Sequence, residues 1–150
     1  MSPIIEELST YLKYSDALNT EVSNWSVGAH IEHSTKVIAS ICKSVEHSDP
    51  KDYKPKFNLL KVIFLRLNWF PRGRAKAPKA VHPTLSSDVE VLKEYLEKAD
   101  AKLKTLQGLA KNRFFKHPYF GLLNVKEARK FIKLHTHHHI KIIQEIIKKS

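Results

Sequence analysis

Val27, Ile31, Ser34, Ile38, Ile41 and Val45 follow one another at steps of three and four. Only an α-helix gathers that period onto one side. Ser26 stands just before the stripe as a candidate N-cap. Ser48-Asp49-Pro50 ends it near His47, because proline disfavours helical geometry in the residue before it. A helix this long with one apolar side must bury that side against other elements, and the rest of the chain offers more helices to do so.

A first helix is expected from about Ser2 to Leu18, with Pro3 tolerated near its start and Ile4, Ile5, Leu8, Leu12 and Leu18 at helical spacing. A third is expected from about Pro55 to Trp69, with Phe57, Leu60, Ile63, Phe64 and Leu67 as its apolar face. A fourth should start at Ser86 or Ser87, with Glu90 completing a capping box. It should run to about Lys111 on Val89, Leu92, Leu96, Ala99, Leu103 and Leu106. The fifth follows Asn124, with Glu127 at the capping-box position, and reaches about Lys148.

Two connections interrupt the helices. Phe70 to Thr84 is rich in proline and carries Arg72, Arg74, Lys76 and Lys79. Asn112 to Leu123 is crowded with aromatic residues, which suggests a loop folded back onto the domain. No strand pairing is expected, and only 4 glycines in 150 residues argue against a turn-rich β fold. The expected fold is all-α, a helical bundle forming one domain over residues 1–150.

Composition narrows the setting. The single Cys42 excludes an intrachain disulfide, which fits a reducing, cytoplasmic compartment. The start of the chain carries Glu6 and Glu7 and does not read as a cleaved signal. Its densest apolar window, Leu59 to Phe70, is broken by Lys61, Arg66 and Asn68, so no membrane span is expected. The net charge of +11 is uneven: residues 1–50 hold 3 basic and 7 acidic groups, and residues 51–80 hold 9 and 1. The basic groups of residues 51–80 are split between a helix and a proline-rich loop. No recognisable helix-turn-helix or zinc-finger spacing accompanies them, so sequence-specific nucleic-acid binding is not expected. The basic loop could instead steer an anionic small molecule.

The nine histidines carry the chemistry. On the last helix His135, His138 and His139 fill a gap in the stripe formed by Ala128, Phe131, Ile132, Ile142, Ile143, Ile146 and Ile147. His135 and His139 are four apart, one above the other on a face, a spacing that can offer two imidazoles to one metal ion. His137 is rotated off that face. On the second helix His30 and His33 border the Val27–Val45 stripe. A single buried histidine is ordinarily a hydrogen-bonded core residue. Several of them replacing core residues on two helices, with no carboxylate in phase to partner them, point to a metal.

The segment from Asn24-Trp25-Ser26-Val27 through His33 resembles the opening of the second helix in the DinB/YfiT-like superfamily. The segment His135-Thr136-His137-His138-His139 resembles that family's last-helix pattern. His117-Pro118-Tyr119-Phe120-Gly121 is similar to the turn of an uncharacterised DinB-like branch, and Lys141-Ile142 stands where Gly-Gln more commonly follows. The resemblance spans about Thr20 to Glu145. It implies a four-helix bundle with a long crossover connection and a metal site at one end, with His33, His135 and His139 as ligands of zinc or nickel. Activities in the superfamily are thiol-dependent, a transfer to an electrophile and an isomerisation.

Three neutral imidazoles leave a divalent ion an open position, as in catalytic sites. Such an ion could activate water or hold a substrate thiol as thiolate. His30 and His138 are placed to support the ligands or pass protons. Glu32 stands about 100° round the helix from His33 and is a poor general base, which tilts the reading from a hydrolase toward a thiol S-transferase. The catalytic residues are not legible. The alternative is a non-enzymatic metal-binding or protein-interaction module. A small-molecule substrate, a thiol among the candidates, and a homodimer are the expected partners. Metal binding is expected to weaken as pH falls through about 6.5.

Overall fold

The computed structural model describes residues 1–68, 79–85 and 88–150. Its elements run α1 (Pro3–Ser9), α2 (Val27–His47), α3 (Leu59–Leu67), α4 (Val89–Thr105), β1 (Phe114–His117), β2 (Gly121–Asn124) and α5 (Val125–Lys149), with short 3-10 turns at Leu12–Tyr14, Pro50–Asp52 and Lys79–Val81. The fold is mainly helical. Its centre is α2, which packs most extensively on α4 and next on α5, while α1 lies against α4 and α5. Ile31, Ile38, Leu92, Leu96, Ile132, Ile140 and Ile143 make the middle of one continuous core.

The start of α2 follows the sequence closely. Ser26 Oγ accepts from Ala29 N at 3.2 Å. The N–H groups of Val27 and Gly28 donate back to the Ala17 and Ser15 carbonyls at 2.9 and 2.8 Å. The orphan donors of the first turn are thereby satisfied, and the His30–His33 turn enters the core at a defined angle. The other end of the fold is equally explicit: Asn124 and Glu127 form a reciprocal capping box at the start of α5.

Several boundaries differ from the sequence reading. The first helix stops at Ser9 rather than Leu18. The hydroxyls of Ser9 and Thr10 donate to the Glu6 and Glu7 carbonyls, a local competition that weakens a helix. The third helix is shorter at both ends. It begins at Leu59, capped by the Asn58 side chain, which accepts from Lys61 N, and ends at Leu67, before Asn68 in the left-handed region. Trp69 lies outside the described residues. The apolar face expected for this helix is not buried: Phe64 is, but Phe57, Leu60 and Leu67 are 84, 61 and 66 % exposed. Phe64 stacks on Phe120 at 4.6 Å, and Lys61 pairs with Glu127 at 2.9 Å, so α3 meets the domain along a narrow seam. The fourth helix is capped by Asp88 and ends at Thr105 rather than Lys111; Ser86 and Ser87 lie outside the described residues.

The aromatic loop is the main correction to an all-α reading. It contains an antiparallel hairpin with Phe115 opposite Leu123 and His117 opposite Gly121. Gly121 has φ +68°, a conformation that suits glycine. His117 Nδ1 accepts from the Tyr119 and Phe120 N–H groups and closes the turn. The hairpin does fold back onto the domain, with Phe115 and His117 packed on Phe131 of α5 at 5.7 and 5.0 Å.

No helix among the described residues is long and apolar enough to cross a membrane. Cys42 is fully buried in the core, and burial, with Glu46 adding to it, pushes its thiol up to about 12.

Candidate metal centre

The stripe of α2 and the stripe of α5 meet across the core, and each delivers histidines to the contact. His33, His135 and His139 are all less than a tenth exposed. Each offers one ring nitrogen, and these atoms lie within 4.8 Å of one another. The ring centroids stand 4.6 Å apart for His135–His139, 4.7 Å for His33–His139 and 5.2 Å for His33–His135.

Each ring is held by its surroundings. His33 Nδ1 lies 2.7 Å from the Val81 carbonyl oxygen. A carbonyl only accepts, so Nδ1 carries the proton and the lone pair sits on Nε2. His139 Nδ1 lies 2.9 Å from Nδ1 of His30, and His30 Nε2 lies 3.0 Å from Ser23 Oγ. That hydroxyl also accepts from Trp25 N–H at 3.1 Å. Phe131 stacks on His135 at 5.9 Å. The half-buried Trp25 covers another side, 5.0 Å from His33 and stacked at 6.3 Å on His139.

The electrostatics favour neutral rings. Burial holds His135 and His139 well below the usual imidazole range, and neighbouring imidazoles push further down. His33 is also lowered by burial, though its bond to Val81 works against the shift. Burial, aided by His33 and His138, brings His30 down to about 3. Neutral imidazole is the form that binds a metal.

The donor set fits a divalent ion. Zinc takes imidazole nitrogens at about 2.0–2.1 Å, which holds them roughly 3.3 Å apart, and small ring rotations span the difference. Outer partners that fix the tautomer are what metal-binding histidines ordinarily have; Val81 supplies one here for His33, and His30 stands in that place beside His139.

The remaining sequence candidates are placed as follows. His30 sits behind His139 and is not in the group of three. His138 is half-buried, its ring centroid 5.3 Å from that of His139 in an edge-on arrangement. His137 turns toward α1, its Nε2 3.4 Å from Glu7 Oε2. Lys79 begins a 3-10 turn, whereas Arg72, Arg74 and Lys76 lie outside the described residues.

Sequence reasoning missed Val81, Ser23 and His82, whose ring is 6.2 Å from Trp25. A backbone carbonyl leaves no mark in a sequence, and Ser23 reads as an ordinary residue ahead of a cap. The sequence offers Glu32 only as a base. It is wholly buried and bound to Lys36 at 2.7 Å and to Thr84. Burial alone would raise its carboxyl; the bonds from Lys36 and Thr84 reverse this and hold it below the usual range.

Comparison with protein-family models, with curated proteins and with solved structures gives no match.

Proposed function

We propose that this chain binds one divalent metal ion, zinc or nickel, through His33, His135 and His139. The observation that carries the reading is the convergence of three buried imidazole nitrogens within 4.8 Å. The quoted motifs around Trp25, His117 and His135 further support membership of the DinB/YfiT-like superfamily, with its four-helix bundle and long crossover.

On that reading the protein is a metal-dependent enzyme acting on a small molecule, a thiol S-transferase before a hydrolase. A bound ion would supply Lewis acidity, lowering the pKa of a thiol or of water. His33, His135 and His139 stay neutral through burial, His30 orients His139, and Trp25 screens the cluster from solvent. The thiol reading is favoured by the state of Glu32, the carboxylate adjacent to His33 in sequence. Its oxygens are engaged by Thr84 and Lys36, so it is poorly placed to take a proton at the centre. The same observation favours the second reading, a metal-binding or interaction module without turnover. The cytoplasm suits the single reduced cysteine, and a homodimer without sequence-specific nucleic-acid binding completes the proposal.

The experiment is metal analysis of protein purified without a nickel column. About one equivalent of zinc or nickel per chain is expected, and protein that neither carries nor takes up a divalent ion would overturn the reading. Turnover screening with small thiols and electrophiles then separates the enzyme from the silent module.

A further inference from the structure

Three residues of α2 grip one short segment. His33 Nδ1 donates to the Val81 carbonyl at 2.7 Å. Lys36 Nζ donates to the His82 carbonyl at 3.0 Å. Glu32 receives Thr84 N–H at 2.9 Å on Oε1 and 3.0 Å on Oε2, and the Thr84 hydroxyl at 2.8 Å on Oε1. Lys36 also closes on Glu32 at 2.7 Å. The segment is therefore bound at Val81, His82 and Thr84, and the Val81 side chain is itself buried.

We propose that Glu32 is a positioning residue for His33: its buried carboxylate clamps residues 81–84 onto α2, and the clamped Val81 carbonyl holds His33 with its proton on Nδ1 and its lone pair on Nε2. Glu32 and His33 are consecutive and so point about 100° apart. They hold two different points of the segment, and fixing Thr84 limits how far the Val81 carbonyl can drift. A side chain in the position of Glu32 could fill the same volume without this effect. A carboxylate with no solvent exposure is costly unless every oxygen is satisfied, and here the satisfying donors come from the segment and from Lys36, which itself holds the segment. The function of the device rests on the metal-centre reading: His33 presents the correct nitrogen before an ion arrives. The orientation of His33 does not depend on that reading.

The test uses the full chain and the variants Glu32→Ala, Glu32→Gln and Thr84→Val. Side-chain nitrogen–proton correlation spectra of the metal-free protein report the His33 tautomer, assigned with His33→Gln. Chelator competition reports zinc affinity, and circular dichroism reports folding. Wild type should show His33 protonated on Nδ1. Glu32→Ala should give mixed His33 tautomers and zinc affinity weaker by up to about 10-fold, the low end of the range for losing an outer partner outright, because the Val81 carbonyl is loosened and not removed. Thr84→Val should move both readouts the same way by less. Glu32→Gln keeps an oxygen acceptor for Thr84 and should recover most of the loss. If Glu32→Ala does not fold, Thr84→Val decides. Folded variants with unchanged His33 tautomer and zinc affinity overturn the proposal, even if they melt earlier. A wild type that binds neither zinc nor nickel while its His33 tautomer still responds to Glu32 supports the clamp and overturns the metal centre instead.

Discussion

Nδ1 of His30 stands 2.9 Å from Nδ1 of His139, so one of these two buried imidazoles must hold the proton between them. If His139 holds it, its lone pair is on Nε2, His30 accepts, and His30 Nε2–H donates to Ser23 Oγ. If His30 holds it, a neutral His139 must carry its own proton on Nε2 and cannot coordinate through that atom. Metal binding at Nε2 therefore selects the first arrangement, and Ser23, His30 and His139 become one chain of hydrogen bonds.

Replacing His30 should weaken the centre without abolishing it. His30→Ala is expected to lower zinc affinity about 10–100-fold while keeping one site per chain. Chelator competition and metal analysis check this, and an unchanged affinity would remove His30 from the site.

The three ligands should behave differently from their neighbour. His33→Ala, His135→Ala and His139→Ala should each abolish stoichiometric binding, while His137→Ala, whose ring meets Glu7, should leave it intact. Loss of metal in His137→Ala with retention in His135→Ala would contradict the geometry.

Metal-free protein should lose stability as pH falls below about 6.5. The pKa of His30 is lowered by burial and its histidine neighbours to about 3, and that of His117 by burial to about 4. Below 6.5 the unfolded chain takes up protons that the native state refuses, so the stabilisation present above 6.5 is lost progressively toward pH 4 and below. The sequence alone places weakening of metal binding at about pH 6.5. Burial of His135 and His139 moves proton competition within the native site lower. Chemical denaturation from pH 7.5 to 4.5 should show falling stability, with zinc still bound at pH 6. A flat profile would count against neutral buried histidines.

Ile38→Ala should cost about 2–5 kcal/mol, because it opens a cavity at a fully buried position of α2. Equilibrium urea unfolding measures it, and a loss under about 1 kcal/mol would mean the core collapses around the gap.

The exposed apolar side chains of Phe57, just ahead of α3, and of Leu60 and Leu67 on it are the expected dimer face. Light scattering should give a dimer mass, and Leu60→Glu with Leu67→Glu should give a monomer. A wild type that stays monomeric at high concentration ends that expectation.

The sequence by itself determined the long helices and the pairing of His135 with His139. Steps of three and four are a property of one helix, and Ser26, Asn124 and Glu127 mark the ends by bonds to backbone a few residues away. His135 and His139 share a face for the same local reason, and the family resemblance pointed to His33. Tertiary structure alone decided the rest. Short strands such as Phe114–His117 and Gly121–Asn124 are stabilised by each other and by Phe131, not by a local period. The face of α3 looked like core, yet burial depends on what lies opposite, and only Phe64 found a partner surface. The Val81 carbonyl and the Glu32–Thr84 clamp join residues 48 and 52 positions apart. A bond across that distance is set by how the chain returns to α2, which no local pattern records.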